Sequence, residues 1–315
     1  MINELAFNPN QPHIPVMLNE VLSFLKPQAN EIYFDGTFGA GGYSSAILQS
    51  CNCQVYAVDQ DHTVDKFVKK LQENFPKNFH FAYAKFSQVK EVLRSFAVEQ
   101  VDGVVLDIGV SSMQFDEKIR GFSFDSHDKL DMRMNQNQEL SAFEVVNNFS
   151  EEQLSEIIYK FGDEPKAKKI ARKITTQRCK QTITSCCELA DIVRSLYVGY
   201  YKTDPATRTF QALRIYVNNE LEELSQALKN SLEILKSGGR MVVVTFHSLE
   251  DKIVKDFFRE KSGYFKGQSR YLPDLNPVLN IELKLLNKSA IEPSDLEVKR
   301  NPRSRCAKLR SVVKL

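Results

Sequence analysis

The chain has 315 residues, 42% of them hydrophobic and 26% charged, with a formal net charge of +2. Such a length can bury a large core in one big domain or two, and the composition is ordinary for a soluble globular protein. Any nucleic-acid binding must therefore come from local basic patches, and no apolar run approaches the ~18–20 residues of a membrane span, so no membrane partner is expected.

The opening MINELAFNPNQPHIP lacks a basic stretch followed by an apolar one, which argues against a signal peptide. Residues 13–25 (HIPVMLNEVLSFL) carry apolar positions at helical spacing after Pro15, and Pro27 stops them. Residues 32–34 read as a buried strand that Asp35 ends. Glycines follow at 36, 39, 41 and 42, and residues 44–49 (SSAILQ) open a helical pattern. A strand, a glycine turn and a helix start let a ligand approach backbone where free N–H groups converge. The turn is not G-x-G-x-x-G, so a dinucleotide is disfavoured. It is nearer to the S-adenosylmethionine loop, an acid with glycines two, four and six residues on, although Thr37 stands at the first of those places.

Residues 55–59 (VYAVD) form a second strand ending in an acid, where a ribose diol would lie. Residues 64–75 are a charged amphipathic helix closed by Pro76, 79–84 alternate like a strand, 89–96 are helical, and 101–107 (VDGVVLD) end in another acid. The alternation predicts a parallel sheet with helices on both faces, whose ligands bind beyond the carboxyl ends of the strands. Asp35, Asp59 and Asp107 all fall there. From 111 to 207 the alternation breaks into amphipathic helices at 151–159, 166–176 and 188–196. The expected division is a sheet domain, 1–110 with 208–315, and a helical insert, 111–207. One long helix is expected at 213–235, ended by Ser237-Gly238-Gly239. A strand at 240–246, a helix at 249–259 and an antiparallel edge pair at 281–286 and 306–313 complete the chain.

Seven stretches, in this order, are more specific than the loop: DGTFGAGGYS (35–44), LDIGVSS-x-Q (106–114), RGFSF (120–124), LDMRM (130–134), PATRTFQALRIYVNNELEEL (205–224), FHSLEDKIVK (246–255) and NPRSRCAKLR (301–310). Together they resemble the RsmH (MraW) family of bacterial small-subunit rRNA methyltransferases over nearly the whole chain. The resemblance implies an α/β fold: a Rossmann-like class I S-adenosylmethionine-dependent methyltransferase sheet with an inserted all-α substrate-recognition domain. It implies N4-methylation of one cytidine in the ribosomal decoding region. The cofactor contacts it implies are Gly39, Gly41, Gly42, Tyr43, Asp59, Phe86, Asp107 and Gln114. Two departures are Tyr43, where a His is usual, and Met113, where a Pro is usual.

The chemistry narrows the candidates. S-adenosylmethionine carries an activated methyl, so the protein must position an in-line attack and accept a proton. The cytosine amine is a poor nucleophile, and acceptors pulling on its N–H groups would localise the lone pair. Asp107 is the main catalytic candidate, against a turn-capping acid or a nearby backbone carbonyl as the real acceptor. His247 is a second candidate, against a helix-start hydrogen bond. Asp59 has a solvated strand-end acid as its alternative, and Phe86 a core aromatic. No cysteine nucleophile is needed. The six cysteines form no C-x-x-C or paired metal-type spacing, so they read as thiols of a cytoplasmic protein and no metal is expected.

Lys166, Lys168, Lys169, Arg172, Lys173, Arg178 and Lys180 crowd the insert, and 166, 169 and 173 share a helix face suited to phosphate, or to plain solvation. Arg300, Arg303, Arg305, Lys308 and Arg310 form a second basic cluster, and Asp131 and Arg133 are expected to help line the opening for the target base. The partner expected is small-subunit rRNA, within the small ribosomal subunit, with the oligomeric state left open, a homodimer included. A DNA or protein-amine acceptor, or a binding factor without catalysis, are the competing readings.

Overall fold

The computed structural model describes residues 15–263 and 281–315; His13 and Ile14, where the first helix was expected to begin, lie outside the described residues. The chain opens with α1 (Leu18–Leu25), β1 (Ile32–Asp35), α2 (Gly42–Ser50), β2 (Gln54–Asp59), α3 (Asp65–Asn74), β3 (Phe79–Tyr83), α4 (Val89–Ser95) and β4 (Val101–Asp107). A helical region follows: α5 (Ser112–Asp116), α6 (Ala142–Asn148), α7 (Glu151–Gly162), α8 (Ala167–Arg178), α9 (Cys186–Arg194) and α10 (Ala206–Asn218). It ends with α11 (Glu220–Ile234), β5 (Leu235–Thr245), α12 (Ser248–Lys261), β6 (Leu283–Leu285), α13 (Asp295–Arg300) and β7 (Lys308–Lys314). Among the described residues no helix is long and apolar enough to cross a membrane.

The strands form one sheet in the order β3-β2-β1-β4-β5-β7-β6. β1 to β5 pair in parallel, and β7 runs antiparallel to both β5 and β6, the expected edge pair. This is the parallel sheet the alternation predicted and the Rossmann-like α/β fold the resemblance implied. The order reverses at β1, which pairs with β2 on one side and β4 on the other, so the crevice lies beyond their carboxyl ends. The apolar run of β4 reflects that position: covered on both faces, Val101, Val104, Val105 and Leu106 have no exposure. Gly103 is needed for packing, since a Cβ there would lie 2.7 Å from the Tyr33 ring and 2.8 Å from Leu25.

The expected single helix at 213–235 is two. Asn219 adopts a left-handed conformation (φ 51°) that closes α10, and α11 starts at the next residue. Gly238 and Gly239 do not precede β5 but lie within it. The pairing with β4 shifts from Val101↔Leu235 to Gly103↔Arg240, and the extra β5 residues form a bulge in which Gly238 takes φ 78°.

Two compact units result: one of residues up to Asp59, Val64–Ile108 and Leu224 onward, the other of Gln60–Thr63 and Gly109–Glu223. The second runs past the expected limit of 207 because α10 belongs to its core, with Ala206, Phe210, Leu213 and Val217 buried beside Leu154, Ile158, Ile170 and Leu189. Gly162 lets α10 close on α7, since a Cβ there would meet Arg208 O at 2.5 Å. Ser-x-x-Glu/Gln capping boxes start α5, α6, α7 and α9, each satisfying two otherwise orphaned helix-end donors.

Candidate functional site

In the sheet unit, three strand-end acids surround the glycine turn. Asp35 is fully buried and braces both ends of it, accepting from Thr37 N at 3.1 Å and from Ser44 Oγ at 2.7 Å. Asp59 accepts from Gly39 N at 2.8 Å. Thr37, at the place of an expected glycine, uses its hydroxyl to accept from Asp107 N at 2.7 Å, tying the turn to β4. Gly36 N and Phe38 N donate to Val105 O and Val58 O, so the turn is stitched to strands on both sides. Gly39 and Gly41 have φ of 51° and 75°, which glycine adopts without strain. The helix behind them, α2, has no side-chain cap, leaving the positive end of its dipole at the turn. Phe86 follows β3, packs partly buried against the sheet core, and borders the turn, its Cβ 3.0 Å from where a Cβ on Gly36 would be.

Asp107 ends β4 with its Oδ1 buried and unpartnered. Burial, then the neighbouring Asp35 charge, push its carboxyl up to about 8, against the opposing hydrogen bond of the Tyr43 hydroxyl; Glu250 adds a further upward push. Burial also raises Asp35, to about 6, the Ser44 and Thr37 hydrogen bonds opposing it. Tyr43 is buried, and its hydroxyl lies between two acceptors, Val16 O and the Asp107 carboxyl. Desolvation thus leaves at the crevice a carboxyl whose Oδ1 has no partner, able to answer a hydrogen-bond donor, which in turn would favour its ionised form.

His247 caps α12: its Nδ1 accepts from Glu250 N at 3.3 Å. Its Nε2 lies 2.8 Å from Glu250 Oε1, close but not aligned for a hydrogen bond. Glu250 is wholly buried and accepts from Phe246 N and His247 N, completing the capping box. The helix-start alternative is the one this geometry supports for His247.

The MraW methylase family description matches residues 10–315. The chain belongs to that family. Among its relatives, a protein of Ehrlichia chaffeensis named ribosomal RNA small subunit methyltransferase H is 48% identical over 308 residues, 96% of this chain and 100% of the relative. One of the same name from Rickettsia bellii is 50% identical over 310 residues, 97% of this chain and 99% of the relative. A solved rRNA methylase from Streptococcus thermophilus aligns over 96% of this chain and 99% of its own at 10% identity, with a TM-score of 0.43.

As an MraW methylase the protein is a methyltransferase dependent on S-adenosylmethionine, which when bound supplies a methyl on a sulfonium. The sheet unit fits such a group on its own features. Gly41 and Gly42 leave backbone at an uncapped helix start, and Asp59 presents a carboxylate at the end of β2. The unpartnered Asp107 Oδ1 is an acceptor awaiting a donor. The cradle is intolerant of side chains: a Cβ on Gly42 would lie 2.2 Å from Pro15, and one on Gly41 2.8 Å from the Phe38 ring. Gly41→Ala should therefore weaken S-adenosylmethionine binding about tenfold by calorimetry, through strain at positive φ. Unchanged affinity would remove this turn from the cofactor site.

The remaining candidates lie elsewhere or are committed. Gln114 is in the helical unit, buried, with its Nε2 donating to Asp61 at 2.8 Å and its Oε1 accepting from Ser111 N at 3.0 Å. Both ends of that amide hold α5 in place, a role the sequence reading did not assign. It also missed Asp61 and Arg120, a buried ion pair at 2.9 Å whose guanidinium donates further to Arg133 O and Met134 O. Asp131 and Arg133, expected at the opening, grip each other through two 2.8 Å hydrogen bonds. Burial alone would raise the Asp131 carboxyl, but the bonds from Arg133 bring it below its ordinary value.

Among the basic residues, Lys169, Arg172 and Lys173 are exposed on α8, with Arg172 reaching Glu151 at 3.4 Å. Lys166 does not share their solvated face, since its Nζ donates to Leu196 O at 2.8 Å and covers the Tyr197 ring. Arg178 clamps Val146 O and Phe149 O at the end of α6. In the other cluster Arg303 and Arg305 are exposed, whereas Arg310 is paired with Asp251 at 2.7 Å.

Proposed function

We propose that this chain methylates the N4 amine of a cytidine in the decoding region of small-subunit rRNA, using S-adenosylmethionine. Small-subunit rRNA methylation rests on the family and on relatives of that name at about half identity along the whole chain. The observation that carries the finer reading is the buried, unpartnered Oδ1 of Asp107 at the end of β4. An exocyclic amine needs such an acceptor to draw on its N–H as the lone pair turns to the methyl, and it needs no covalent nucleophile. The stretch 107–114 (DIGVSSMQ) accordingly holds an acid and no cysteine. In this reading the glycine turn and Asp59 hold the cofactor, Asp107 faces the amine, and the basic face of α8 meets phosphate. The target base must leave any stack to reach the methyl.

The test is transfer of labelled methyl from S-adenosylmethionine to small ribosomal subunits from cells lacking the gene, followed by nucleoside mass spectrometry. N4-methylcytidine is the expected product. Label at cytosine carbon five, on the ribose or on protein would overturn the assignment.

A further inference from the structure

Two of the most exposed apolar residues in the described structure lie close together in the segment joining α9 to α10. Val198 is 91% and Tyr200 95% exposed, with Tyr201 at 43%. An aromatic ring so fully in water gains nothing from burial in the fold. Yet the segment is held firmly at its root. Arg194 pairs with Asp204 at 2.7 Å, closing its two ends. The Tyr197 hydroxyl donates to buried Glu164, and Lys166 donates to Leu196 O with its Nζ 3.7 Å from the centre of the Tyr197 ring. Tyr201 stands edge-on to Tyr197 at 5.3 Å, and its hydroxyl donates to Val198 O. Gly199, at φ 102° with nothing within 4 Å of its would-be Cβ, turns the tip outward.

We infer that the 198–201 tip is a stacking platform for an unpaired base of the RNA substrate. The surroundings select that occupant. Lys202 is exposed beside the tip, and Lys168 and Lys169 are exposed on the first turn of α8, directly after the Lys166 that braces the root. Arg208 is exposed as well, and its charge is felt at Tyr197. An exposed aromatic tip with a lysine next to it in the chain and a cation over the ring at its root matches a base flanked by phosphates, whereas an apolar protein surface would leave those charges uncompensated. The fixed root supplies preorganisation, so little loop ordering opposes binding. Lys166 thus acts on RNA through the loop it braces and not through a phosphate of its own.

The inference rests on the proposed RNA substrate, and the experiment separates the two. Tyr200→Ala, at a site too exposed to affect folding, should raise KM for small subunits about tenfold, the loss expected of one stacked base, with kcat and cofactor affinity unchanged. The chain contains no tryptophan. Tyr200→Trp therefore installs a single reporter, whose fluorescence should be quenched by single-stranded RNA and not by duplex of the same length. A wild-type enzyme that methylates small subunits, with an unaltered KM in Tyr200→Ala and no quench in Tyr200→Trp, overturns the platform alone. A wild type that methylates no RNA overturns the reading beneath it, and a tip that instead governs self-association in sedimentation assigns the surface to a second copy.

Discussion

Asp107→Ala should lower methyl transfer to small ribosomal subunits by 10²–10³-fold, about 3–4 kcal/mol of transition-state stabilisation, while weakening cofactor binding far less. The Oδ1 of that carboxyl is an unpartnered acceptor at the crevice, and the amine it would face is nucleophilic only as its N–H is drawn away. Asp107→Ala retaining more than a tenth of wild-type kcat would remove it from the chemistry. A second measurement probes the same group through stability. Its carboxyl is raised to about 8. The unfolded chain releases that proton near pH 4, so between about 4 and 8 the native state binds one proton more than the unfolded state. Stability contributed by this site therefore falls as pH rises through that window and levels off above it. Asp107→Asn does not titrate, so its stability relative to wild type should climb over the same window. The climb is at most about 5 kcal/mol by pH 9, the linkage of a shift of about four units, while the carboxamide's own missing partner only lowers the whole curve by a constant. Parallel stability curves for the two proteins would show that Asp107 is not buried as a neutral acid. Asp35, raised to about 6, titrates in both proteins, and its charge is part of what raises Asp107 and so part of the difference.

The sequence made the sheet legible because each strand is a short apolar run ending in an acid, and buried parallel strands must be apolar along their whole length. The turn was legible because left-handed backbone at Gly39 and Gly41 demands glycine. Its bracing was not. Asp35 reads as one more ligand-edge acid, and only the fold shows its carboxylate turned inward onto Thr37 and Ser44. In the helical unit the basic run was visible, but a lysine that solvates and a lysine that covers a tyrosine have the same letter; Lys166 and Arg178 are distinguished by partners 30 or more residues away. The break at Asn219 was obscured because apolar spacing continues across it. A signal for α6, α7 and α9 was present and unread: Ser141, Ser150 and Ser185 each precede a Glu or Gln three residues on. The RGFSF and LDMRM stretches marked where Arg120, Met132 and Met134 meet, without revealing that the meeting point is an ion pair with Asp61.

Breaking that ion pair from one side should be costly to the helical unit. Arg120 is 2% exposed, and its guanidinium joins three separate pieces of chain: Asp61, the carbonyls of Arg133 and Met134, and its own turn before Gly121. Arg120→Met keeps most of the volume but removes every donor. The Asp61 carboxylate would keep its bonds from Gln114 Nε2 and Thr63 N while losing its buried countercharge, and two carbonyls would lose a donor. A loss of about 3–5 kcal/mol is expected, read as a fall in the urea midpoint without a change in slope. The cost comes from stranding a buried charge more than from losing an attraction, since desolvating both ions already cancels much of their mutual gain. Asp61→Leu should be nearly as damaging, because it strands the arginine instead. Combining Asp61→Leu with Arg120→Met removes both charges and should cost less than the sum of the single variants by 1 kcal/mol or more. Strict additivity, or a cost below 1 kcal/mol for Arg120→Met, would mean that water reaches the pair and screens it. The Arg120 Nε, buried and unpartnered, bears on the same point: this guanidinium is not fully satisfied, so the pair serves to lock α5 and the 130–134 turn into one arrangement more than to add net stability.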